Sequence, residues 1–482
     1  MDDDKSPVVS ADEIRASGDA SMLFPLSPAK APAIRQPPAF PKRGARLRQA
    51  QRSQMTWGRI DLDATLPEEH PARAIWTVIE RLDLSALYAQ IEARDEVAGA
   101  SAIDPKLLLA LWVYATSEGE GSARELARLT ELHAAYRWIC GGVDVGYHTL
   151  SDFRSQQGEI INALITQVLA LLLKQDLVDL SRVAQDGTRV RASAGAASFR
   201  REQTLQTLMA EARTHLEQVT RDAADPALSA RRNAAIKRGA KDRLTRLEAA
   251  LAQIPQVIET KKRSGAKDTT PRVSSTDADA RVMKMGDGGF RPAFNVQFAT
   301  TTDAARVIVG VGVTNRGSDQ GESTPMLEQI EKRTGVLPNE LLVDGGYNQH
   351  KAIDEAAALD VTVYAPLPRP RKVDTSKAVP QNAQSDSSAS CGDPPPVPPA
   401  LDPHLPRDTD SKAVAEWRQR MGTDGAQEIY KQRAATAETV NADAKTHRGL
   451  DHLVVRGLTK VLGAASLFAL TYDVLRLISL SG

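Results

Sequence analysis

The chain has 482 residues, too many for one compact core, so about three domains are expected. Its 61 basic and 61 acidic side chains cancel, which leaves net charge silent about a polyanionic partner. Two cysteines far apart, Cys140 and Cys391, argue against a disulfide framework or a cysteine-built zinc site.

In chain order, residues 1–55 are rich in Pro, Ala and Arg without a steady period, and a disordered arm is expected there. They carry no apolar secretory signal, which predicts a cytoplasmic protein. Lys30, Arg35, Lys42, Arg43, Arg46, Arg48 and Arg52 fall in an acid-free stretch, suited to tracking DNA phosphates and equally to a solvated terminus. Residues 56–178 read as helical. Asp104-Pro105 opens one helix as N-cap and first-turn proline, followed by Leu107, Leu108, Leu109 and Leu111. Ser122-Ala-Arg-Glu125 has the capping-box form and Thr149-Leu-Ser-Asp152 its aspartate variant, so a helix is predicted to start at each. Short helices around the Gly-containing turn Cys140–Gly146 fit a helix-turn-helix DNA reader or any small helical bundle.

At Leu180 the pattern changes, and Ser181–Arg191 reads as a strand around Asp186. A helical, charge-rich segment follows over about 199–265, with Leu205, Leu208, Leu216, Leu244, Leu247 and Leu251 near helical spacing. The Asp225-Pro226 break in it predicts a helical hairpin, and its basic excess reads as a solvated face or as a DNA-facing arm. Strands are predicted at Ala293–Thr300 and Arg306–Val313, then a helix at Thr324–Thr334 and a buried strand at Glu340–Asp344. A helix near Lys351–Leu359 and a strand at Val361–Ala365 complete residues 179–366 as an α/β fold, a mixed sheet flanked by helices. Residues 367–411, rich in Pro, Ser and Asp, are expected to be a disordered insertion. Residues 412–482 are helical again. Their most apolar run, Val461 to Leu480, is broken by Ser466, Asp473, Arg476 and Ser479, which predicts a buried or amphipathic helix and no membrane span.

Carboxylates carry the candidate chemistry. Mg²⁺ takes oxygen ligands, and two such ions about 3.5–4 Å apart can activate an attacking oxygen and stabilise a leaving one. Three carboxylates from separate elements suffice to hold them. Asp186 is flanked by Val183, Ala184 and Val190, and Asp344 ends the apolar Leu341-Leu342-Val343 before two glycines. Buried strand ends of this kind open onto the edge where sheet proteins bind ligands. Each aspartate reads alternatively as a turn former, and no spacing rule links the two.

Gln185-Asp186-Gly187-Thr188, Val343-Asp344-Gly345-Gly346-Tyr347 and the quartet Tyr430, Arg433, Glu438 and Lys445 resemble, in that order, the DDE insertion-sequence transposases. Further echoes are Thr276-Asp-Ala-Asp-Ala-Arg281, Phe294-Asn295-Val-Gln297, Val313-Thr-Asn315 and Val454-Val455-Arg456-Gly457-Leu458. Asp104–Arg154, with His148-Thr149-Leu150-Ser151-Asp152-Phe153-Arg154, resembles the helical N-terminal domain of one branch of that family. The similarity runs from about Arg59 onward, outside part of 200–265 and all of 367–411. It implies an RNase H-like catalytic domain split between 179–366 and 412–482, with the helical insertion after its first strand and a DNA-binding domain over 56–178. It implies Asp186, Asp344 and Glu438 as catalytic carboxylates holding two Mg²⁺ ions, with Mn²⁺ able to substitute. Tyr430, Arg433 and Lys445 would then meet DNA, together with Arg43, Arg46 and Arg48 of the arm.

On a helix, Glu438 and Lys445 share a face about 10 Å apart along it. Lys445 then suits a phosphate beside the metal site and Arg433 grips another through its planar fork, a surface cation being the plainer reading of both. One departure stands out: four residues separate Arg433 from Glu438, where the usual signature has three. Glu428 is a rival glutamate. Asp319 and Asp279 stay outside the core assignment, Asp319 being as easily an N-cap. The implied partners are terminal inverted repeats and target DNA, bound by at least a dimer because two element ends must meet. Water would cut the phosphodiester and the freed 3′-hydroxyl would attack target DNA. Two other readings remain: a domesticated, non-catalytic DNA-binding relative, for which the arginine spacing leaves room, and a nuclease of the same fold without strand transfer.

Overall fold

The computed structural model describes residues 61–91, 101–221, 230–263, 265, 270–368 and 402–481. The basic arm with Arg43, Arg46 and Arg48, the Asp225-Pro226 break and most of 367–411 lie outside these residues.

Seven helices come first: α1 (Pro71–Glu80), α2 (Ser85–Ala89), α3 (Pro105–Ser117), α4 (Ala123–Leu132), α5 (Ala134–Cys140), α6 (Tyr147–Gln156) and α7 (Gly158–Lys174). Two start where their caps predict. The Asp104 carboxylate accepts from Lys106 N at 2.8 Å, and the Ser122 hydroxyl from Glu125 N at 3.3 Å. The third differs: α6 begins at Tyr147 after Gly146, with no side-chain cap, so Thr149 and Asp152 lie inside it. In its first turn the Tyr147 ring lies under Arg124 of α4, 5.3 Å from the guanidinium carbon.

The sheet begins with β1 (Arg182–Arg191). The short strands β2 (Phe199–Arg200) and β3 (Val273–Ser274) pair antiparallel and close the base of an insertion made of α8 (Glu202–Arg221), α9 (Ala230–Ala252) and α10 (Ile254–Arg263). That insertion has its own small core around Leu205, Leu247, Ile254 and Val257. The chain then makes β4 (Arg281–Lys284), β5 (Phe290–Thr301), β6 (Ile308–Thr314), α11 (Ser323–Thr334), β7 (Glu340–Leu342), α12 (His350–Ala358) and β8 (Thr362–Tyr364). β5 pairs antiparallel with β1, β4 and β6, whereas β7 runs parallel to both β1 and β8. The strand order is therefore β6-β5-β1-β7-β8, with β4 added along β5. In the parallel register Ala184 faces Leu342. Asp186 lies two residues further along β1, and Asp344 stands two residues past Leu342, in the turn that follows β7.

Residues 402–411 are ordered by a buried ion pair of 2.7 Å between Asp410 and Arg418. Arg418 lies on α13 (Lys412–Met421), which is followed by α14 (Asp424–Arg433), a π-helical turn (Ala434–Glu438), α15 (Thr439–Thr446) and α16 (Leu458–Ser481). Of the described helices, α16 is the one long and apolar enough to cross a membrane, and 67% of its apolar window is buried inside the protein. It is a core helix. One side packs on α7 and α3 and the other on β6, so a single apolar core runs from the N-terminal helices into the sheet. Gly463 of α16 meets Gly158 of α7 so closely that a Cβ on Gly158 would sit 3.1 Å from the Gly463 Cα.

Candidate active site

Three of the motif fragments serve to anchor α16. Asp277 accepts from Gly457 N at 3.2 Å and Asp279 from Leu458 N at 3.0 Å, so two carboxylates satisfy the exposed N–H groups at the helix start. The Asn315 amide donates to the Asp279 carbonyl at 3.1 Å. Asp279 is thereby committed to holding a helix, away from the acidic centre.

That centre gathers around Asp186 in β1, whose carboxyl feels the charges of Asp344 after β7 and of Asp319. Asp186 is largely buried, and burial pushes its carboxyl up to about 6; Arg433 opposes the shift, while Asp344 and Asp319 add to it. Gly187 N donates to its Oδ1 at 2.9 Å and Asn441 Nδ2 to its Oδ2 at 3.0 Å. Asp344 follows the buried Val343, and its Oδ1 accepts from Gly346 N at 2.7 Å, the tight turn that the double glycine permits. Glu438 arrives from the helical layer. Arg433 Nη2 donates to its Oε1 at 3.1 Å, while Nη1 of the same guanidinium lies 3.6 Å from Asp186 Oδ2.

The four-residue gap between Arg433 and Glu438 has a structural cause. In a regular α-helix residues five apart point in different directions, since neighbours on a face lie three or four apart. A π turn, bonded i to i+5, absorbs one extra residue and restores the alignment. Ala434–Glu438 is such a turn, and Arg433 and Glu438 meet across it.

Tyr430 lies under Arg433, whose guanidinium carbon is 5.8 Å from the ring centroid. Burial pulls the Arg433 guanidinium down, but Tyr430, Asp186 and Asp344 together raise it above its ordinary value. Lys445 is half-buried, and its ammonium is lowered by that burial and by Arg189, against the pull of Asp186 and Asp451. Tyr430, Arg433 and Lys445 are thus brought to the carboxylates. Glu428 is not: it is exposed and pairs with Lys431 at 2.6 Å.

Asp319 belongs here although its sequence setting suggested an N-cap. It is 6% exposed and sits beneath the centre, its Oδ1 accepting from Asn295 Nδ2 at 2.6 Å and Gln297 Nε2 at 2.8 Å. Arg189 reaches its Oδ2 at 3.3 Å. Tyr347 donates to Gln297 in the same network, and burial, reinforced by Asp319, Asp186 and Asp344, raises its hydroxyl. The signal in the sequence was Asn295-Val-Gln297: alternate residues point to one face of a strand, and these two supply both amides.

The chemistry of this donor set suits a hard divalent cation. Among the described residues no three of His, Cys, Asp or Glu are arranged to hold an ion as they stand. Arg433 lies instead between Asp186 and Glu438, with one nitrogen 3.6 Å from the first carboxylate and the other 3.1 Å from the second.

Two family models match the chain. Residues 60–156 match a transposase domain (DUF772), and residues 405–478 match a transposase DDE domain. No curated protein and no solved structure matches it.

Proposed function

With these two domains the chain is of the DDE insertion-sequence transposase type, and from that premise we propose that it cuts DNA at the ends of its element and joins them to target DNA. The observation that carries this reading is the meeting of Asp186 and Glu438, 252 positions apart in numbering, on one arginine that also feels the charge of Asp344. The strand order, with three antiparallel strands followed by two parallel ones, supports an RNase H-like catalytic domain. The π turn weighs against a non-catalytic reading, because the extra residue does not displace Glu438 from Arg433.

In this mechanism Asp186, Asp344 and Glu438 are the residues that would hold the divalent ions, Mg²⁺ or Mn²⁺. Bound there, such ions would supply Lewis acidity for an in-line displacement at phosphorus. The protein's own groups do the rest. Asn441 and Gly187 N orient the two oxygens of Asp186, and Gly346 N orients Asp344. Asp319, tied to Asn295 and Gln297, keeps β1, β5 and the loop before α11 in register beneath them. Arg433 exchanges its carboxylates for a DNA phosphate, which its planar fork grips in two places. Lys445, seven residues beyond Glu438, positions a second phosphate. The helices of the N-terminal domain read the terminal repeats, and two copies bring two ends together.

Purified protein incubated with duplexes bearing its flanking repeats tests this. Nicked and then joined products are expected with Mg²⁺ or Mn²⁺ and disappear with a chelator. Asp344→Asn should lower nicking at least a thousandfold and leave the gel shift of the repeat intact. Nicking that survives Asp344→Asn, or its absence on the true ends, overturns the reading. Nicking without joined product would favour a nuclease of the same fold.

A further inference from the structure

One side of the insertion does not close onto the sheet. Between α10, the edge strand β4 and the loop after β6 lies a groove of about 830 Å³. Its cations are Lys261, Arg263, Arg272, Arg281 and Arg316, against the single acid Glu259. Two of them have work within the fold: Arg281 donates to the Ala278 and Ala280 carbonyls, and Lys261 to the Thr270 carbonyl at 2.8 Å. The other three are turned to solvent. Arg272 is exposed; Arg316 has a side chain 68% exposed and reaches Glu322 only at 3.7 Å; and Arg263 makes the exposed i,i+4 pair with Glu259, contacts worth little. The apolar part of the lining is Phe199, Val257 and Val282, the last 51% exposed on β4.

The groove leads to the acidic centre through one loop. Gly317 and Ser318 line it, and the next residue is Asp319. Arg189, three residues beyond Asp186 on β1, donates to the Gly317 carbonyl at 2.9 Å and so ties the groove wall to the site. Like charges gathered on a concave wall repel one another unless a polyanion occupies it. A space of this size, within the range of small-molecule pockets, admits a nucleotide or two and no duplex. Cations together with an aromatic and aliphatic floor are the combination by which single strands are held, through phosphates and stacked bases.

We propose that this groove holds single-stranded DNA, the strand freed next to the cleaved bond, with its phosphates on Arg263, Arg272 and Arg316 and a base against Phe199 and Val282. The proposal rests on the DNA-cleavage reading above for its substrate. It also gives the helical insertion a role, that of guiding one strand away from the carboxylates after the duplex has parted.

The test uses the full chain in a chelator, so that binding is read without cleavage. Fluorescence anisotropy compares a labelled oligothymidine with a duplex carrying the element end, across a range of salt. The Arg272→Glu/Arg316→Glu double variant should weaken oligothymidine binding at least tenfold and leave duplex affinity within about twofold. It should also flatten the slope of log K against log salt by about 1.4, two contacts at about 0.7 each for a single strand. As a measurement independent of folding of the variant, 4-thiothymidine in the oligonucleotide should photo-crosslink the unaltered protein within 256–272 or 315–318. Unbound oligothymidine, an equal loss for duplex, or crosslinks confined to other segments overturns the proposal. Because these readouts need no metal, they hold or fail separately from the loss of nicking in Asp344→Asn.

Discussion

Gly187 follows Asp186 where no larger residue fits. A Cβ there would lie 2.3 Å from both Asp319 Oδ1 and Gln297 Nε2, and 2.8 Å from Asn295 Oδ1. Asp319 Oδ1 accepts from both Gln297 Nε2 and Asn295 Nδ2, so these side chains cannot swing away without losing hydrogen bonds. Gly187→Ala is therefore expected to lower stability by about 1–3 kcal/mol, the usual range for overpacking. It should also cut metal-dependent nicking more than tenfold, because Asp319 and Asp186 are both pushed; thermal melts and a nicking assay on the same preparation check it. At this scale much could be read from the chain itself. Asp186 and Asp344 stood out because each interrupts or follows an apolar strand, and β1 and β7 are parallel neighbours in the sheet. Asp319 did not stand out, since its burial comes from amides on a strand more than twenty residues away. Gly317-Ser318 before it looks like any turn.

The π turn decides how the late helices serve the site. Removing Ala434, which is exposed, leaves Arg433 and the glutamate four apart, and an ordinary α-helical turn then keeps them on one face. This deletion is expected to retain nicking within about tenfold. Inserting one alanine at the same place should abolish it, because one added residue rotates the glutamate by about 100° on the 3.6-residue turn. Loss of activity in both variants would show that the turn itself, and not the alignment it restores, is what matters. Alanine-rich Ala434–Glu438 has the composition of any helix, so nothing local announces the extra residue; the hydrogen-bond pattern does. Capping, in contrast, was legible at Asp104 and Ser122, went unread at His70, His133, Ser411 and Thr423, and failed at Thr149, because α6 starts two residues earlier without a side-chain cap.

Helix α16 is where the helical layer and the sheet become one body; its interrupted apolar run was read as a buried or amphipathic helix, but not as the link between the two layers. One interruption, Asp473, is fully buried; Oδ1 accepts from Ile308 N at 2.9 Å and Oδ2 has no hydrogen-bond partner. Burial raises this carboxyl well above its ordinary value, against the pull of the Ile308 N–H, Arg333 and Arg476. The folded state thus holds this proton more tightly than the unfolded chain does. The associated stability is complete below the unfolded carboxylate range and is lost as pH rises through the folded value. Asp473→Asn keeps the acceptor for Ile308 and cannot ionise. It should melt higher than the parent in alkaline buffer and close to it in mildly acidic buffer, and parallel melting profiles would contradict this assignment. The position of α16 also has a consequence during synthesis. Leu458–Ser481 leaves the ribosome after every element that it covers. Until it does, α3, α7 and β6 keep an uncovered apolar face, and the nascent chain cannot complete the shared core on which both layers stand. A polypeptide released before residue 458 would therefore be expected to lack the finished fold of either half, so a ribosome that stalls early yields a fragment for proteolysis and no half-working enzyme.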